Sequence, residues 1–142
     1  MSIDAERFQY LAGFRLAMRR FMAGAEAISR KAGVTQQHYQ ALLAIKAWTA
    51  EAMTIGDLAD QLLLSHHGAV QLVNRMERAG LAQRSPSPND RRSVLVSLTP
   101  TGEELVQRLA SLHLREVLRQ EPQLSRSLRR LKREAAGALD EG

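Results

Sequence analysis

Gln71 and Asn74 stand on one side of a stretch that reads as a single short helix, S65-H-H-G-A-V-Q-L-V-N-R-M-E-R-A-G80. Each amide carries a donor beside an acceptor, the arrangement that pairs bidentately with the edge of adenine in the major groove of DNA. Val70, on the same side, suits the methyl group of thymine. His66 and His67 fall in the first turn behind a capping Ser65, where side chains reach base edges or phosphates. Arg91 and Arg92 are adjacent guanidiniums in a turn, suited to phosphate oxygens or to a narrow A·T minor groove. Arg75 has two readings, a phosphate contact or an ion pair with a nearby carboxylate, and the ion pair is favoured. Asp90 would be repelled by phosphate, so it reads as a structural anchor that pre-orients an arginine. These residue types fit recognition of a polyanion.

The elements that must hold these side chains follow from patterning. T54-I-G-D-L-A-D-Q-L62 is a short helix capped by Thr54, with Asp57 at its third helical position near the positive end of the macrodipole. A tight turn joins it to the helix beginning after Ser65. There Ala69, Leu72, Val73 and Met76 form one apolar stripe opposite the polar side. Gly80 stops this helix. Leu81–Arg84 and Ser93–Leu98 read as paired strands, with S85-P-S-P-N-D90 as the turn between them. The order helix, turn, helix, β-hairpin wing is a tool for gripping a duplex.

Flanking helices complete the pattern. A first helix spans about Asp4 to Ala32, with Leu11, Phe14, Met18, Phe21, Ala25 and Ile28 on one stripe. Gly33 ends it. Thr35 caps a second helix, Gln36 to about Trp48, that buries Tyr39, Leu42, Leu43 and Trp48. Thr99-Pro100 starts a fifth helix reaching about Gln120, with Leu105, Leu109 and Leu112 inward. Pro122 is expected to interrupt it. A sixth helix follows with Leu124, Leu128, Leu131, Ala135 and Ala138 on one side and Arg126, Arg129, Arg130, Lys132 and Arg133 on the other. The expectation is a mainly α fold: six helices and a small β-hairpin wing.

Bulk properties narrow the function. The chain has 142 residues, a formal charge of +5 and no cysteine. The length suits one modest core, a polyanionic partner suits the charge, and disulfides and thiolate zinc sites are excluded. No apolar run approaches the roughly 20 residues of a membrane span, and M-S-I-D-A-E-R lacks the apolar core of a signal peptide, so a cytoplasmic protein is expected. The four histidines include no i, i+4 pair suited to zinc. Neither a nucleophile–base–orienter set nor a glycine-rich phosphate loop is present, so no enzyme activity, metal or cofactor is expected.

Over residues 55–84 and in D90-R-R-S-V-L-V-S-L-T-P-T-G102 the sequence resembles the MarR family of multiple-antibiotic-resistance-type regulators. The most specific mark is the wing pattern Asp90, Arg92, then Leu98, Thr99 and Gly102. The resemblance implies a homodimer with a winged helix-turn-helix lobe at 35–99 and dimerisation helices at 1–34 and 100–142, all one continuous structural domain. It implies a sequence-specific, ligand-responsive repressor on a pseudopalindromic operator, with residues 65–80 as recognition helix. It also implies a site for a small aromatic or phenolic acid. Phe14, Arg15, Met18, His38, Tyr39 and Trp48 would line that site if the first two helices meet; as ordinary core they would not. Two positions depart from the pattern: Leu63 replaces a glycine usual in the helix-turn-helix turn, and Asn74 replaces an acid that normally pairs with the wing. The alternative reading is a winged-helix protein–protein adaptor that has lost specific DNA binding.

Overall fold

The computed structural model describes residues 2–139, with side chains through 137. Five helices and three short strands occur among the described residues: α1 (Ala5–Lys31), α2 (Gln36–Ala47), β1 (Met53–Thr54), α3 (Ile55–Leu62), α4 (His66–Arg78), β2 (Ala82–Pro86), β3 (Val94–Leu98) and α5 (Pro100–Leu139). The chain divides into two compact units, one of residues 1–28 with 112–142, the other of residues 29–111.

In the 29–111 unit, Thr35, Thr54 and Ser65 each cap a helix by accepting from the backbone N–H three residues on. At Thr54 the cap is reciprocal: Asp57 donates its N–H to the Thr54 hydroxyl at 3.0 Å, and Thr54 N–H donates to the Asp57 carboxylate at 2.9 Å. Helix α3 packs on both α2 and α4 over a core in which Leu42, Leu58, Ala69, Leu72, Val73 and Met76 are fully buried. The four expected inward residues of α4 are all among them. On α2 the buried set is Tyr39, Ala41 and Leu42. Leu43, expected inside, is 41% exposed; it lies about 100° round the helix from Leu42, off the side that meets α3.

The hairpin closes into a three-stranded antiparallel sheet in the order β1-β3-β2. β1 is an addition to the expected hairpin. Met53 and Thr54 pair with Val96 and Leu95, tying the start of α3 to the wing. Arg84 stands opposite Val96, and Pro86 opposite Val94 at the free edge, where a missing N–H costs little.

In the other unit, α1 buries Ala17 and Ala25. Leu11, expected on the inward stripe, is 47% exposed, as are Leu112 at 42% and Leu128 at 51% on α5. Ala138 of the expected last stripe lies outside the described side chains. The expected break at Pro122 does not occur: α5 is one helix of 40 residues with proline inside it. Proline removes one hydrogen bond, to the Leu118 carbonyl, and both residues are exposed, so solvent can take that carbonyl. The count is therefore five helices instead of six.

Candidate nucleic-acid interface

α4 enters its first turn through Leu63, the one non-glycine residue at positive φ among the described residues (φ 55°). That left-handed residue takes the position where a glycine was expected, and its side chain is 93% exposed. Beyond it, Ser65 fixes the start of α4 by accepting from Gly68 N–H at 3.0 Å. His66, His67, Gln71 and Arg75 are exposed, while Val70 and Asn74 are half-buried. Gln71 and His67 meet at 3.1 Å between Nε2 atoms, so the amide is pre-aimed along the helix by its neighbour one turn back. Arg75 Nη2 donates to Gln37 Oε1 of α2 at 3.0 Å. The favoured ion pair gives way to a neutral amide, because α2 presents Gln37 within reach.

The wing is fastened to α4 by Arg84, a residue that carries no motif in the sequence. Arg84 on β2 donates from Nη1 to Glu77 Oε1 at 2.7 Å and from Nη2 to the Val70 carbonyl at 3.3 Å. Strand alternation was the available signal: Ala82 is buried, Gln83 exposed and Arg84 half-buried, so Arg84 shares the α4-facing side with Ala82. His66, Val70, Arg84 and Arg92 line a cleft of about 280 Å³ between α4 and the wing. At the wing tip Asp90 accepts from Arg92 N–H at 2.9 Å and from the Ser93 hydroxyl at 3.2 Å. Its described partners are a backbone N–H and a hydroxyl instead of a guanidinium. Asp90 thus shapes the turn and leaves the side chains of Arg91 and Arg92 exposed.

A helix carrying adjacent amides and histidines outward, locked to an arginine-tipped ribbon, is a winged helix-turn-helix. The family model described as MarR family matches residues 32–93, the span that holds α2 to the wing tip. Over that span the chain is similar to the MarR family.

Among curated proteins, the chain is 38% identical over 84 residues to the transcriptional activatory protein BadR of Rhodopseudomonas palustris, covering 58% of this chain and 48% of that one. It is 39% identical over 72 residues to the organic hydroperoxide resistance transcriptional regulator of Bacillus subtilis, covering 51% and 48%. The chain spans about half the length of these relatives. Among solved structures, AbsC, a MarR family transcriptional regulator from Streptomyces coelicolor, superposes with a TM-score of 0.81 at 22% identity, over 99% of this chain and 97% of that one. The MepR–DNA complex of S. aureus superposes at 0.73 and 20% identity, over 99% and 100%. At those identities the likeness is one of fold.

The remaining candidate residues divide between the two units. In the 29–111 unit Tyr39 is buried core, and Trp48 donates from Nε1 to the Glu51 carbonyl at 3.0 Å. His38 is held below the ordinary imidazole range, first by burial and then by the nearby Arg75 cation. In the other unit, Arg15 and Met18 border a groove of about 480 Å³ along α1 with Arg19, Met22 and Glu26, and Phe14 is half-buried. Among the described residues no three His, Cys, Asp or Glu side chains are grouped to hold a metal ion, and no helix is long and apolar enough to cross a membrane.

Proposed function

We propose that this protein is a sequence-specific DNA-binding transcriptional regulator, a repressor rather than an enzyme, acting in the cytoplasm as a homodimer on a pseudopalindromic operator. In this reading Gln71, Asn74 and Val70 read base edges. Ser65, His66, His67 and Arg75 position the helix, and Arg91 and Arg92 engage backbone or minor groove. One observation carries the reading: the polar side of α4 stands exposed while Arg84 and Glu77 hold it at a set angle to the wing. The names of the relatives, a transcriptional activatory protein and a transcriptional regulator, support regulation of transcription and leave its direction to the proposal.

Residues 1–34 and 100–142 would be the dimerisation helices. Exposed apolar side chains on them, Phe8 at 60% and Leu128 at 51%, are the surface a second copy would cover. A small aromatic or phenolic acid is the effector we infer, with Arg15 as the cation that meets its carboxylate beside Met18 in the α1 groove.

The test is binding to DNA from upstream of the protein's own gene against random duplex, over a range of salt. Specific affinity should fall steeply with salt as counterions are released. Gln71→Ala should cost about 1–3 kcal/mol on the preferred site and nothing on random DNA. A flat salt response with no preferred sequence would overturn the reading in favour of an adaptor.

A further inference from the structure

Beyond α4 and the wing, the unit of residues 1–28 and 112–142 carries a second cationic surface. Arg115, Arg119, Arg126, Arg129, Arg130 and Arg133 are all exposed and all on α5. At about 100° per residue they fall within an arc of about 100°, and at 1.5 Å per residue the row is about 27 Å long. We propose that this row is a further phosphate-contacting surface that takes the backbone of duplex DNA. The inference rests on the DNA-binding function proposed above and adds a surface to it.

Helix stability does not account for the row. Cations help a helix only in its last turn, and the last turn of α5 has none. Arg115 lies about six turns earlier. Like charges four apart, such as Arg115 with Arg119 and Arg129 with Arg133, work against the helix. Three of the arginines have partners: Arg119 donates to Glu116 at 2.8 and 2.9 Å, Arg133 meets Glu134 at 3.4 Å, and Arg130 lies 5.4 Å over the Tyr10 ring. Among the described residues, Arg115, Arg126 and Arg129 have none.

Composition points to phosphate as the occupant. Of the 20 basic residues in the chain 17 are arginine, and the row is arginine throughout. Guanidinium binds phosphate bidentately and is more weakly hydrated than ammonium, so arginine is favoured where phosphate is held and lysine serves where charge alone is wanted. A row of about 27 Å matches about eight base-pair steps of 3.4 Å, the repeat of a stiff polymer with regularly spaced charge.

The experiment compares the full chain with the triple variant R115Q/R126Q/R129Q on a random 40-base-pair duplex between low and moderate salt. All three positions are exposed, and an unchanged circular dichroism melt checks the fold. The slope of log affinity against log salt should fall by about 2.7, or about 0.9 for each phosphate that is no longer neutralised. The triple lysine variant should recover most of the slope. The variant should keep the wild-type preference, as a ratio of affinities, for DNA upstream of the gene. An unchanged slope overturns the inference and leaves the recognition helix untouched. Loss of binding to phosphatidylserine vesicles with unchanged duplex binding overturns it in favour of a lipid surface. If the wild-type chain binds no duplex at all, the proposed function itself fails.

Discussion

Arg84 shows how one side chain can set the geometry of a site without reading a base. It spans from the wing to two points on α4, the Glu77 carboxylate and the Val70 carbonyl. Asn74 stands where an acid was expected to pair with the wing, and Glu77, three residues on and on the same side of the helix, holds the wing arginine instead. In the function proposed above, the exchange leaves the Asn74 amide to a nucleobase, and the helix–wing tie is kept. Leu63 poses a different residue-scale question. A left-handed backbone costs an L-residue about 1–2 kcal/mol, and its exposed side chain recovers little by burial. Glycine there would relieve that cost while losing part of the gain to its freer unfolded chain. Leu63→Gly should therefore raise stability by about 1 kcal/mol, read as a higher urea midpoint at unchanged slope. A lower midpoint would mean that the leucine is held by its neighbours and is not strained.

Between elements, the decisive joint is where the wing hands the chain to α5. Thr99 donates its N–H to the Leu81 carbonyl at 3.1 Å and its hydroxyl to the Gly80 carbonyl at 2.6 Å, and that hydroxyl accepts from Gly102 N–H at 3.0 Å. A Cβ on Gly102 would run into the Leu81 carbonyl oxygen. Gly102→Ala should cost about 1–3 kcal/mol, because backbone must move to admit it; thermal unfolding checks this, and an unchanged melting temperature would refute the close approach. The Leu-Thr-x-x-Gly pattern is thus legible in sequence and explained by this joint. The capped helices and the apolar stripe of α4 were legible for the same reason: cap and period are local. β1 was not, because two residues carry no period and Met53 and Thr54 become a strand only by meeting β3. Arg84 was half-legible, its side of the strand set by alternation but its partner by the packing of α4. Pro122 misled because its cost here is one hydrogen bond to an exposed turn, which does not end a helix of 40 residues. Replacing it restores a donor and removes a steric clash, so Pro122→Ala should raise stability by up to about 3 kcal/mol in urea titration. A loss would show that the proline is required for packing.

Over the whole molecule, each compact unit contains a histidine that resists protonation. His38 in the 29–111 unit is depressed by burial and then by Arg75, and His113 on α5 is buried and depressed by desolvation, with Glu116 opposing. A histidine whose folded value lies below its ordinary one binds a proton more readily when unfolded. Its contribution is therefore complete above the ordinary imidazole value of about 6.5 and declines as pH falls from there through the depressed folded values. Each imidazole can impose at most about 1.4 kcal/mol per pH unit. Glu116 is depressed by hydrogen bonds from Arg119 and Gln120, so its own contribution is lost only further down, as pH falls below the ordinary carboxylate range. The two windows are separable. Stability in urea should hold between pH 8 and 7, drop between about pH 6.5 and 5, and drop again below about pH 4.5. His38→Gln and His113→Gln should each remove part of the first drop and leave the second in place. If both variants keep the full loss between pH 6.5 and 5, the burial of these two rings is not what makes the fold acid-sensitive, and the assignment of the first window to them fails.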